Sequence, residues 1–139
     1  MGREDVSARC SAIEECYEFL LAYAGQGLSG KENSKASSDA RDFLNRAVEA
    51  VSGLAAAYTQ AVKEENLQPA DRYLAFLEVL KKDAHDSLAS IHLVLAQATI
   101  SSQLIDNLNA SIHLRALLTD LFLIDEILKP QPLAAKPPQ

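Results

Sequence analysis

The chain has 139 residues and a formal net charge of −6, with an isoelectric point near 5.0. Charge of that sign argues against binding bare nucleic acid or an anionic lipid surface. No basic patch offsets it, since Lys81-Lys82, the densest basic spot, is followed directly by Asp83. A hydrophobic content of 48% and a charged content of 23% fit one domain with a core of its own.

Three of the five Gly fall in one loop and four of the five Pro in the C-terminal tail, which leaves long segments rich in Leu, Ala and Glu and favours helices. Residues 3–24 predict a first helix, because Val6, Cys10, Ile13, Tyr17, Leu20 and Ala24 recur at alternating spacings of four and three. Glu4 and Asp5 suit the positive end of its dipole. Cys10 and Cys16 lie six residues apart on different faces of that helix and cannot easily bond each other. Two such thiols suggest a reducing compartment. With no apolar signal-peptide core in MGREDVSARC, a cytoplasmic location is expected.

Gly25 to Ser38 predicts a mobile loop. Its Gly25-Gln-Gly-Leu-Ser-Gly30-Lys31 imitates a phosphate-binding loop, but Glu32 stands where a Ser or Thr would hold magnesium, and a helix rather than a strand precedes it. Ser38 or Asp39 then caps a second helix over 39–66. One row of that helix is Phe43, Ala47, Ala50, Leu54, Ala57 and Ala61. Beside it run Leu44, Val48, Val51, Ala55, Tyr58 and Val62. After Asn66-Leu67-Gln68, Pro69 suits the first turn of a third helix carrying Leu74, Leu77, Leu80, Leu88, Ile91 and Leu95.

No Gly or Pro occurs between Pro69 and Pro130, so this segment forms either one long helix or two with a soft break. A break at Thr99-Ile-Ser-Ser102 divides it into two halves of about 30 residues and is preferred to one at Asp106–Asn109. The expected fold is all-α, a four-helix antiparallel, up-down bundle over residues 1–129. The Pro-rich tail over 130–139 is expected to be disordered. Between Asp86 and Asp106 there is no Asp, Glu, Lys or Arg, yet His92, Gln97, Thr99, Ser101, Ser102 and Gln103 interrupt it, which argues for burial by protein and against a membrane span.

Three patterns carry candidate chemistry. Glu14, Glu15 and Glu18 with Asp39 and Asp42 resemble the acidic cluster of all-helical nucleotide pyrophosphatases of the MazG kind, which implies magnesium held against a diphosphate. Arg41 and Phe43-Leu44-Asn45 depart from that family's second motif. His85-Asp86-Ser87-Leu88 resembles the phosphoacceptor segment of some sensor histidine kinases, which implies a phosphotransfer module using His85, with Asp86 orienting it. Third, Asp71, Glu78, His85, His92, Thr99, Asp106, His113 and Asp120 recur every seven residues and trace one polar row. A hairpin centred on Thr99 puts His85 level with His113 and His92 level with Asp106, a potential metal site.

The main expectation is a non-enzymatic protein that works by helix-mediated association, as an adaptor, assembly chaperone or scaffold subunit. Its partner is a second copy, giving a homodimer, or another protein. The expected contact residues are Leu88, Ile91, Leu95, Ile112, Leu117, Leu121 and Phe122, drawn from the charge-poor stretch. No cofactor, nucleic acid or membrane is called for.

Overall fold

A computed structural model describes residues 2–30 and 35–129. Among them there is no strand, and the fold class is all-α. The helices are α1 (Gly2–Ala24), α2 (Lys35–Ser52), α3 (Leu54–Glu64), α4 (Ala70–Leu95), α5 (Ser102–Ala110) and α6 (Ile112–Leu128). The expected count of four is not met, because the second expected helix is divided at Gly53 and the last at Ser111. The expected disorder of 130–139, and part of the loop expected over 25–38, lie outside the described residues.

Hydrogen bonds between helix ends fix the directions. The Gly2 amide donates to Glu64 Oε1 at 3.1 Å, and Arg3 Nη1 donates to the Leu128 carbonyl at 2.8 Å, so the start of α1 lies beside the ends of α3 and α6. At the opposite end the Tyr23 hydroxyl donates to the Ile100 carbonyl at 2.6 Å, and Arg41 Nη1 donates to the Leu95 carbonyl at 3.0 Å. Hence α1 and α4 run one way, and α2–α3 and α5–α6 run the other. Helix α1 packs on α2, α3 and α5, while α4 packs on α2, α3 and α6.

One apolar core joins all six helices. On α1 the buried row begins as expected with Val6, Cys10, Ile13 and Leu20, but Tyr17 and Ala24 are only partly covered and Cys16 and Tyr23 are buried instead. A straight helix of 3.6 residues per turn drifts away from a strict seven-residue repeat, and the buried stripe follows that drift. Phe19 stacks on Phe43 of α2 with centroids 4.2 Å apart, and the Arg46 guanidinium lies 4.7 Å from the Phe43 ring centre.

The break between α2 and α3 comes from α1. Arg9 Nη1 donates to the Glu49 and Ala50 carbonyls at 2.9 and 3.1 Å, meeting backbone acceptors at the end of α2. A Cβ on Gly53 would lie 2.6 Å from the Arg9 guanidinium, so a larger residue there would have to displace the end of that side chain. Helix α2 also starts at Lys35, before the expected cap, with Lys35 paired to Asp39 at 3.0 Å.

The turn from Ala96 to Ser101 is held by three neighbours. Arg41 Nη2 donates to the Gln97 and Ala98 carbonyls at 2.6 and 3.2 Å, in addition to Leu95. Ser102 Oγ donates to the Tyr23 carbonyl at 2.6 Å and accepts from the Leu28 amide at 2.9 Å, while the Ser102 amide donates to the Leu28 carbonyl at 2.8 Å. Gly30, at φ +83°, approaches so closely that a Cβ would sit 2.6 Å from the Ile100 carbonyl carbon. Ser101 then caps α5 and Ser111 caps α6, each hydroxyl accepting an amide three residues on, from Leu104 at 3.0 Å and Leu114 at 3.2 Å. The second soft break therefore falls at Ser111, just past Asp106–Asn109.

Removing the Arg41 guanidinium leaves three carbonyls at the end of α4 without their cationic donor. Arg41→Ala is expected to lower unfolding stability by about 1.5–3 kcal/mol in a urea titration. A loss under about 0.5 kcal/mol would show that water replaces the clamp at no cost.

Candidate functional site

The seam between α4 and α6 gathers most of the polar residues that the sequence singles out. Ser87 is fully buried and donates through Oγ to the His113 carbonyl at 2.9 Å, which sets the register of the two helices. His85 and His113 therefore stand at nearly one level. The His85 side chain is 85% exposed, with Nδ1 3.7 Å from Asp86 Oδ1. Lys82 Nζ lies 3.0 Å from Asp86 Oδ2. The hydrogen bond from Lys82 holds the Asp86 carboxyl below its ordinary range against the opposing effect of burial, and the Lys82 charge, the adjacent His85 imidazole and the nearby His113 act in the same direction.

His92, in the last turn of α4, and Asp106, on α5, are both exposed. Among the described residues no three His, Cys, Asp or Glu side chains converge to hold a metal ion. The set His85, His92, Asp106 and His113 is thereby corrected. Its members share a row in sequence, but their side chains open to solvent rather than onto a common point. The acidic positions on α1 and α2 also fail to converge: Glu15 pairs with Arg46 at 2.9 Å and Asp39 with Lys35, while Glu14, Glu18 and Asp42 are exposed.

One member of the polar row does turn inward. Asp120, on the α4 side of α6, is buried, and its Oδ2 has no hydrogen-bond donor. Burial pushes its carboxyl up to about 7, helped by a hydrogen bond to Asp83 of α4 and by the negative charge of Asp83. Asp120 borders an open groove of about 520 Å³ lined also by Ile112, Arg115, Ala116 and Thr119.

The outer face of α6 is the other feature of this region. Of the expected contact residues, Ile112 and Phe122 are 75% and 62% exposed. Ile91, Leu117 and Leu121 are instead interior, at 2%, 0% and 4%, and Leu88 and Leu95 are partly buried against the core. The charge-poor stretch covers itself along those positions, so they do not face a partner. Leu123 and Ile127, absent from the expected set, are exposed. The signal for them was available: Ile112, Ala116, Thr119, Leu123 and Ile127 follow spacings of four, three, four and four, a second row opposite the one that enters the core.

On its inner side α6 meets a polar network that sequence reasoning missed. The Tyr58 hydroxyl of α3 donates to Asp125 Oδ1 and lies 3.2 Å from Cys10 Sγ of α1. Burial, reinforced by the bonds to Asp125 and Cys10, pushes the Tyr58 phenol well above its ordinary value. Burial likewise raises the Cys10 thiol, to about 12, which leaves it protonated and unreactive at neutral pH. Arg3 borders the same groove as Cys10 and Asp125 but bonds elsewhere, with Nε donating to Glu65 at 2.8 Å and Nη1 to the Leu128 carbonyl. No periodic pattern could have joined residues 10, 58 and 125. The spacing puts Tyr58 in an apolar row, and its hydroxyl is what recruits the acid.

Comparison with protein-family models, curated proteins and solved structures returns no match.

The inward carboxyl has a direct consequence for stability. With its folded-state value raised from 3.8 to about 7, Asp120 binds its proton more tightly in the folded protein than in the unfolded chain. Its cost to stability is absent below about pH 4, grows as pH rises, and is complete above about pH 7. Asp120→Asn is expected to gain on the wild type in melting temperature as pH goes from 5 to 8. An unchanged difference across that range would mean that Asp120 does not titrate within it.

Proposed function

We propose that the protein works by helix-mediated association with protein partners, as an adaptor, assembly chaperone or scaffold subunit of the cytoplasm, and that the outer face of α6 is its contact surface. The observation that carries this reading is the clustering of Ile112, Phe122, Leu123 and Ile127 on one solvent-facing side of a single helix, each 51–75% exposed. A contiguous apolar helix face costs free energy in water and is relieved by a partner. The two cysteines are free and buried, which agrees with a reducing compartment. Alternating helix directions support reading the fold as an up-down four-column bundle in which α2–α3 and α5–α6 are broken columns. No described helix is long and apolar enough to cross a membrane.

Leu123→Glu places a charge at the middle of the face while leaving the core untouched. It is expected to keep the helical circular dichroism of the wild type and to abolish association, read by sedimentation of the pure protein and by pull-down from source cells. Identical sedimentation and identical captured proteins for wild type and variant would overturn the reading.

A second reading rests on the exposure of His85. Its Nδ1 faces the Asp86 carboxylate, so a proton held on Nδ1 leaves the Nε2 lone pair toward solvent, the form an attacking imidazole needs. Nε2 would form a bond to a phosphorus atom as the donor's bridging oxygen departs with the bonding electrons. Incubation with acetyl phosphate is expected to add an acid-labile phosphoryl group in wild type and none in His85→Gln. Equal labelling of the two, or labelling of neither, would remove this reading.

A further inference from the structure

The outer face of α6 has a symmetry that narrows what can cover it. Ile112 and Ile127 are equidistant from the midpoint between Thr119 and Asp120, and so are Ala116 and Leu123. At 100° per residue the five positions from Ile112 to Ile127 fall within an arc of about 80°, so they form one straight seam. Arg115 and Glu126 flank that seam on the same side and toward opposite ends. We infer that this face docks against the same face of a second copy, with the two α6 helices antiparallel about a two-fold axis near Thr119. The inference rests on the association reading above and specifies its partner and geometry.

In this arrangement Ile112 lies beside Ile127 of the partner subunit, and Ala116 beside Leu123 of the partner subunit, so a small residue meets a large one at each inner level. In antiparallel pairs the positions flanking one side of a seam face their own equivalents. Arg115 therefore faces Glu126 of the partner subunit, offset along the axis by about 3 Å, which both side chains span. Phe122, on the same flank, comes within reach of the partner's Arg115, a cation over an aromatic face. A parallel pairing sets this flank against the opposite one, so Arg115 and Glu126 do not meet across the contact. The C-terminal segment of the chain is a poor occupant, because after Lys129 the sequence offers Leu133 as its single large apolar residue against an α6 seam about 22 Å long.

The test uses full-length protein and surface substitutions only, with circular dichroism as the control for folding. Wild type is expected to sediment as a dimer at micromolar concentration. Arg115→Glu creates two like-charged contacts per dimer and is expected to weaken it by about tenfold, and the double exchange Arg115→Glu with Glu126→Arg to restore it. Ile112→Cys protein mixed with Ile127→Cys protein is expected to give a bismaleimide-linked heterodimer, while Ile112→Cys alone gives none. A dimer linked through Ile112→Cys alone, or a double exchange that fails to restore dimerisation, overturns the antiparallel geometry and leaves the association reading standing. A monomeric wild type that captures a protein lost by Leu123→Glu overturns self-association alone. A monomer whose captured proteins are unchanged by Leu123→Glu overturns both.

Discussion

The turn between α4 and α5 is the constraint on which the rest of the arrangement depends. Residues 70–129 contain no Gly or Pro, and their Leu-rich pattern is compatible with a single uninterrupted helix. The chain reverses because partners on α1 and α2 hold the carbonyls that a continuing helix would use internally. Arg41 takes those of Leu95, Gln97 and Ala98, and Tyr23 takes that of Ile100. Ser102, fully engaged with Tyr23 and Leu28, starts the return. A helix end needs its unpaired carbonyls satisfied from somewhere, and here the donors come from outside the segment itself. Once the reversal is set, Ser87 meets the His113 backbone, and α6 has one side against α4 and the other toward water.

That dependence explains what the sequence could and could not disclose. Apolar spacing gave the all-helical class, the extent of α1 and the start of α4 near Pro69, because each of these is a local consequence of periodicity and proline. Thr99-Ile-Ser-Ser102 could be picked out as a soft break from its β-branched and hydroxyl residues. The Gly53 break was hidden, because a lone glycine in an apolar helix has no fixed meaning until the Arg9 guanidinium is found occupying the space its side chain would fill. Ser111 was hidden for a related reason. A serine caps a helix only where its own backbone leaves the helical region, as Ser111 does at ψ 139°.

The candidate site was legible in the same uneven way. The seven-residue polar row depends on where the chain turns, and the turn after Leu95 sets Ser87, two residues from His85, against the His113 backbone. The row did not tell which members face inward. Asp120 and Asp83 meet between α4 and α6, whereas His92 and Asp106 remain exposed. Direction around a helix axis is set by which neighbours pack there, and a count of residues along one strand of sequence carries no such information. The contact residues failed for a similar reason. A stretch without charge supplies the core and a partner surface alike, and here Ile91, Leu117 and Leu121 fill the interior.

What remains exposed after that self-covering is therefore more informative than the original density of apolar residues. Helix α6 is apolar on both sides: Leu114, Leu117, Leu121, Ile124 and Leu128 enter the core, while Ile112, Leu123 and Ile127 do not. A helix at the surface of a monomer needs one apolar stripe, and its second stripe adds nothing to the stability of the fold it belongs to. The inner stripe is interrupted by Asp125, which accepts from Tyr58 and ties α6 to α3, and by Asp120, whose carboxyl lies near Asp83 of α4. The outer stripe holds Thr119 as its one polar residue, and its charges stand at the flank, where they select orientation without entering the contact. The inner face thus sets the rotation of α6, and that rotation is what presents the outer face as one continuous row.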